Sequence, residues 1–216
     1  MTTRIVRIAV LTAAAAGVGV LVTRGRGRAL DDEAFRLLNA NRGTVTDAVH
    51  AGITELGSIW APAAAAAVLA AAGERRAAAR GLAAASTAWL VGQGVKKVFL
   101  RDRPYLADVE RTRLLIGRPK GTSWPSSHPA VLLAFTTAAR RELGIGPRAN
   151  AALDALAGAV GLSRVHLGVH YPGDVIGGLL LGRAAGEAWS AERAGRDDAR
   201  AHVVRRTRAR SASTRR

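Results

Sequence analysis

Three short segments of the chain hold side chains suited to chemistry on a phosphate ester. The first, residues 96–104, reads Lys-Lys-Val-Phe-Leu-Arg-Asp-Arg-Pro and contains Lys96, Arg103 and Pro104. The second, residues 124–129, reads Trp-Pro-Ser-Ser-His-Pro and contains Ser126, Ser127 and His128. The third, residues 163–174, opens on Ser163 and Arg164, continues to His170 and closes on Asp174. Phosphoryl transfer is mainly positioning and charge stabilisation. Arginine meets two phosphate oxygens with one planar fork, and lysine adds a compact charge. Lys96, Arg103 and Arg164 therefore suit the three oxygens of one phosphoryl group.

The second segment reads as the start of a helix. Pro129 suits the first helical position, with Ser126, Ser127 or His128 as the cap. Free N–H groups at such an end attract an anion, and His128 would stand there ready to protonate a leaving oxygen. In the third segment His170 lies four residues before Asp174, with Pro172 and Gly173 forcing a turn between them. A carboxylate on one ring nitrogen fixes the tautomer and leaves the other free to attack. Asp174 also suits the cap of the last helix, and the two roles are compatible.

Several helices must position these segments. Ile8–Val22 carries no charge and follows a short basic start, so it reads as an uncleaved first membrane helix rather than a signal peptide. Residues 29–55 read as one or two amphipathic interfacial helices, broken near Asn41–Gly43. Leu56–Gly73 and Gly81–Val95 are further apolar segments. Val98–Ser127 is a long polar loop with three prolines. Helices are expected from Pro129, over Ala151–Ser163 and over Val175–Trp189. The last two carry Asp154, Arg183 and Glu187, which a membrane tolerates only inside the bundle. The whole reads as all-α, a six-helix membrane bundle over residues 1–191. A basic cytoplasmic tail, read as disordered, follows at 192–216.

Charge supplies the orientation. Lys+Arg total 32 against 16 Asp+Glu, a formal net charge of +16, and Lys96, Lys97 and Lys120 are the only lysines. The arginines cluster between apolar segments, as in membrane proteins whose cytoplasmic loops are basic, and not along one face as for nucleic acid. Six spans with a cytoplasmic N-terminus place Arg75, Arg76, Arg80, Arg140, Arg141, Arg148 and the tail inside. Only Arg24, Arg26 and Arg28 disagree. Both the 98–127 loop and the 163–174 segment then fall outside, on one face. With no cysteine, disulfides, thiolate metal sites and a cysteine nucleophile are excluded.

The three segments resemble the K-x6-R-P, P-S-G-H and S-R-x5-H-x3-D signatures of the type-2 phosphatidic-acid phosphatase family, which shares its superfamily with bacterial acid phosphatases and vanadium haloperoxidases. The signature region runs from 96 to 174. The resemblance implies that His170 attacks phosphorus, Asp174 orients it and His128 protonates the leaving group. Lys96, Arg103, Arg164, Ser126 and the Ser127 N–H would bind phosphate, with no metal and no cofactor. Ser127 stands where the family usually has Gly, so a positive φ at that position would strain it. The implied protein is multi-pass in a bacterial inner membrane. Its site is extracytoplasmic, and it acts on a lipid phosphate such as a polyprenyl carrier or phosphatidate. A soluble acid phosphatase, a phosphotransferase and a non-enzymatic scaffold are the competing functions. His50, His166 and His202 read as ordinary polar residues, Lys97 and Arg101 as solvated charges, and Asp102 as a local ion-pair partner. Trp124, Tyr105 and Tyr171 read as interfacial anchors.

Overall fold

A computed structural model describes residues 1–25 and 27–190, and Arg26 and the basic tail lie outside the described residues. The described chain is all-helical. The order is α1 (Thr2–Arg24), α2 (Gly27–Leu38), α3 (Thr44–Thr54), a 3-10 turn at Glu55–Gly57, α4 (Trp60–Ala71) and α5 (Arg75–Lys96). The short α6 (Pro104–Ala107) interrupts the long loop, and α7 (Ser127–Leu143), α8 (Pro147–His166) and α9 (Pro172–Trp189) follow.

The centre is built from small residues. Ala84 and Ala88 of α5, Ala130, Ala134 and Ala138 of α7 and Ala185 of α9 form one buried cluster. Small side chains let helix backbones approach closely where lipid offers no hydrophobic drive to associate. Gly178 and Gly182 take this furthest, since a Cβ at either would collide with the carbonyl oxygen of Ser126 or Ala130 on α7. Large apolar side chains point outward instead: Val10 and Leu21 of α1, Trp60 and Val68 of α4, Leu90 of α5 and Ile176 of α9 are all exposed. Among the described residues, α1 alone is long and apolar enough to cross a membrane as a single helix; the pair 44–57 and 60–71, bent by 61°, also passes when taken together.

Asp154, Arg183 and Glu187 of the last two helices are all paired, Glu187 buried and Asp154 and Arg183 partly exposed. Asp154 of α8 accepts from Arg140 at 2.7 Å and from Arg183 of α9 at 3.0 Å. Glu187 of α9 accepts from Arg141 at 2.6 Å and meets Arg7 at 3.4 Å. Pairing of this kind offsets the cost of placing charge among apolar helices. These pairs gather at the end of the bundle where Arg4 donates to the Ser190 carbonyl at 2.8 Å. At the opposite end Val22 of α1 abuts Gly173, and the three chemistry-bearing segments meet there.

Candidate active site

Each candidate residue sits at a helix end or on a loop beside one. Lys96 is the last residue of α5, Arg103 precedes α6, and Ser126 is the N-cap of α7. Ser127 and His128 lie in the first turn of α7, Arg164 in the last turn of α8 and Asp174 in the first turn of α9. Helix α7 begins two residues earlier than expected, so Pro129 occupies its third position. Proline fits there because that N–H has no helical partner. The Ser126 side chain does not cap the helix. Its Oγ, the Ser127 Oγ and the Arg164 Nε are buried without a protein partner. Ser127 does not take a positive φ, because no described non-glycine residue does. The strain expected of a serine at this position is therefore absent.

His170 is 2% exposed and lies between two opposed groups. Nδ1 faces Asp174 Oδ2 at 3.4 Å, and Nε2 faces Nη1 of Arg103 at 3.2 Å. Asp174 is fully buried. Its Oδ2 accepts the Tyr171 N–H at 2.9 Å and a short hydrogen bond from the Ser123 hydroxyl. Helix α9 starts at Pro172 with Tyr171 as its N-cap, so Asp174 is not the cap itself; from the third position its carboxylate closes back on the Tyr171 N–H and faces the imidazole at once. Its main-chain carbonyl accepts the Ser126 N–H at 2.9 Å, which ties the start of α9 to the start of α7.

Arg103 is fixed by donation to Gly121 O at 2.9 Å and Val169 O at 3.0 Å. Arg164 is fixed by donation to Thr54 Oγ1 at 3.0 Å. Ser163 is buried and bonds back to Val160 O at 2.7 Å within α8. His170 is held well below its ordinary value, first by burial and then by the positive charges of Arg103, Arg164 and Lys96. Arg103 is itself lowered by burial. Among the described residues no three His, Asp or Glu side chains converge as metal ligands. The converging groups are cations and N–H or O–H donors, which suit an anion.

Four readings of single residues need correction. Arg101 is not a solvated loop charge. It is 7% exposed and ion-paired with Asp174 at 2.8 Å and Asp31 at 2.7 Å. Trp124 is 1% exposed and packs against Phe99, so it is a core residue and not an interfacial anchor. Tyr105 and Tyr171 are also buried; the first donates to Pro119 O at 2.5 Å and the second lies under Arg101. His166 is a satisfied buried residue, with Asp47 at 2.7 Å, and His50 stacks on it. His202 lies outside the described residues. Ser123, Thr54 and Asp31 also reach this site, and no motif marks them. Ser123 lies just ahead of the second segment, but Thr54 and Asp31 come from helices whose sequences give no hint of this site.

An all-helical bundle that sets a histidine–carboxylate pair inside a cradle of arginine, lysine and hydroxyl donors defines a class of phosphate-handling proteins. The chain belongs to the PAP2 superfamily, whose family model matches residues 76–192 and so covers all three segments. A curated relative in Escherichia coli K12, named "Putative undecaprenyl-diphosphatase YbjG", is 33% identical over 97 residues. That alignment spans 44% of each protein, so the likeness covers less than half of the relative. The crystal structure of Aquifex aeolicus LpxE superposes with a TM-score of 0.66 at 26% identity, over 74% of this chain and 94% of that one. A transmembrane PAP2-type phosphatidylglycerolphosphate phosphatase from Bacillus subtilis shares the fold, with a TM-score of 0.72 at 20% identity, over 89% and 96% of the two chains.

Proposed function

We propose that this chain hydrolyses the phosphate or diphosphate ester of a membrane lipid, without a metal, through a phosphohistidine. The observation that carries the reading is the pair of partners on the His170 ring, a carboxylate on Nδ1 and a guanidinium on Nε2. Asp174 keeps the ring proton on Nδ1, so the Nε2 lone pair is available to attack. When a phosphoryl group arrives, Arg103 transfers its N–H bonds to phosphate oxygens, joined by Lys96, Arg164, Ser126 and the Ser127 N–H. Nε2 bonds to phosphorus as the bond to the ester oxygen breaks, and His128 gives that oxygen its proton. Water, deprotonated by the same His128, then attacks phosphorus. The N–P bond breaks and inorganic phosphate leaves.

The lipid class follows from the surroundings and the relatives. Two of the similar proteins are named for lipid phosphates, one as a putative undecaprenyl-diphosphatase and one as a phosphatidylglycerolphosphate phosphatase; a polyprenyl carrier is the first substrate expected, with phosphatidate-type lipids next. An apolar cavity of about 350 Å³, lined by Ile59, Pro62, Leu82, Trp89, Leu90 and Val131, lies about a turn from Gly92 and His128 and suits an acyl or prenyl chain. The proposed topology has six crossings, made by α1, α4, α5, α7, α8 and α9, with α2 and α3 at the interface. The site is extracytoplasmic and both termini are cytoplasmic, in a bacterial inner membrane. Burial of Glu187 within its ion pair supports membrane residence for α9 over a soluble acid phosphatase.

The test is phosphate release by detergent-purified protein from polyprenyl diphosphate, phosphatidate and a soluble monoester, with EDTA throughout. Release that persists in EDTA, is blocked by vanadate and disappears in His170→Ala supports the reading. Full activity in excess vanadate, or in the alanine variant, would overturn the phosphohistidine route.

A further inference from the structure

The family match begins at residue 76, yet one group that holds the reaction centre comes from residue 31. Asp31 is 7% exposed on the inner side of α2, whose Leu30 and Leu37 are exposed. Its Oδ1 accepts the Gly173 N–H at 2.7 Å, and its Oδ2 lies 2.7 Å from Nη1 of Arg101. The same Nη1 donates to Oδ1 of Asp174 at 2.8 Å. The guanidinium lies over the Tyr171 ring, 3.8 Å from its centroid, and Phe35 of α2 packs against that ring at 5.2 Å. A buried chain of groups therefore runs from α2 to the imidazole: Asp31, Arg101, Asp174, His170.

The charges in this chain do not cancel. Two buried carboxylates share one guanidinium, with Asp32 at the edge, 4.0 Å from Nη2. Were Arg101 paired with Asp174 alone, that pair would be neutral. Sharing leaves net negative charge beside Nδ1 of His170. The other groups that act on the ring are Lys96 of α5, Arg103 of the loop, Arg164 of α8 and the titratable His128 of α7. Three of the four are cations. An imidazole that takes up a phosphoryl group or a proton becomes positive, and only the carboxylate side favours that change.

We infer that Asp31 and Arg101 are positioning residues for the reaction, holding Asp174 and the 170–174 turn in place and setting the negative charge that Asp174 presents to His170. The inference rests on His170 as the attacking group. A mere tether between α2 and α9 would predict lost stability with no signed electrostatic effect. The shared guanidinium predicts opposite signs. Asp31→Asn removes negative charge and disfavours the charged imidazole, whereas Arg101→Gln removes positive charge and favours it.

The experiment uses the full chain in detergent as wild type, Asp31→Asn, Asp31→Glu and Arg101→Gln. Rates on polyprenyl diphosphate are measured against pH. In parallel, 15N imidazole resonances of His170, assigned against His170→Gln, give its titration without reliance on turnover. The expected result for Asp31→Asn is a His170 titration moved to lower pH and kcat about tenfold lower, with KM changed by less than about twofold. Asp31→Glu restores most of the rate. Arg101→Gln moves the titration to higher pH; it leaves two buried carboxylates together, and if it does not fold the Asp31 pair decides alone. An unchanged titration in Asp31→Asn, or shifts of the same sign in both variants, would overturn the inference. A wild type that releases no phosphate from any ester would instead defeat the proposed function, and the imidazole titrations would still decide the coupling.

Discussion

Nη1 of Arg103 stands 3.2 Å from Nε2 of His170, on the side of the ring opposite Asp174. The guanidinium therefore occupies the lone pair that the proposed reaction uses, and it must rotate onto phosphate oxygens as the ester arrives. Lysine lacks the planar fork and cannot hold Gly121 O and Val169 O while meeting a phosphate. Arg103→Lys is expected to lower kcat/KM by roughly a hundredfold, a loss of about 3 kcal/mol of transition-state stabilisation, with the fold intact. Steady-state kinetics beside a thermal unfolding curve check this.

The burial of His170 makes a prediction about pH in which activity and stability part company. Burial, and then the neighbouring cations, hold the imidazole well below its ordinary 6.5. In the proposed reaction the neutral ring attacks, so the acid limb of kcat/KM is expected below that value, with activity kept in mildly acidic solution. Stability runs the other way. Below pH 6.5 the unfolded chain binds a proton that the folded chain refuses, so stability declines as pH falls from 6.5 towards the folded value. Melting temperatures taken between neutral pH and pH 5 should fall, and His170→Gln should flatten part of that fall. A pH-independent difference between the two proteins would contradict it.

That the three segments meet on one face of the bundle was legible before the fold was, for a physical reason. Lys96, Arg103, His128, Arg164, His170 and Asp174 each lie within short segments whose residue types have few other joint uses, and apolar runs place those segments at one end of the bundle. What escaped were long-range partners. Arg101 looked like one more loop arginine, because the carboxylate of Asp31 that buries it is 70 positions away and α2 carries no mark of a docking helix. Trp124 and Tyr171 looked interfacial for the same reason, as nothing local shows that Gly177 leaves room for the indole or that Phe35 meets the phenol. Helix existence was readable from apolar runs. Helix starts were less so, since α7 begins at Ser127 and holds its proline inside the first turn.

The serine at position 127 is a test of what the usual glycine supplies. Ser127 is helical, with no positive φ, and the would-be Cβ of Gly92 lies 3.6 Å from its Oγ. The backbone thus makes no demand that only glycine meets. Ser127→Gly is expected to keep kcat/KM within about threefold and to cost about 0.5 kcal/mol through the helix propensity of α7. A larger gain in rate would show that the hydroxyl obstructs the phosphate. A loss above tenfold would show that it donates to it.

The same substitution should have opposite effects at two glycines of this bundle. Gly178 of α9 lies against the carbonyl of Ser126, and a Cβ there collides with backbone that belongs to the N-cap of α7. Nothing flexible can yield, so relief requires α9 to move away from α7. That motion would also pull Asp174 from the Ser126 N–H it accepts at 2.9 Å and disturb both halves of the site together. Gly178→Ala is therefore expected to destabilise the protein by about 2 kcal/mol or more and to lower activity with it. Gly94 lies in the last turn and a half of α5, is exposed, and a Cβ there meets nothing within 4 Å. Gly94→Ala removes conformational freedom from the unfolded chain at no steric cost and should stabilise by roughly 0.5–1 kcal/mol. Thermal unfolding of both variants in one detergent gives the two signs, and wild-type stability in Gly178→Ala would mean that α7 and α9 do not approach as closely as their glycines imply.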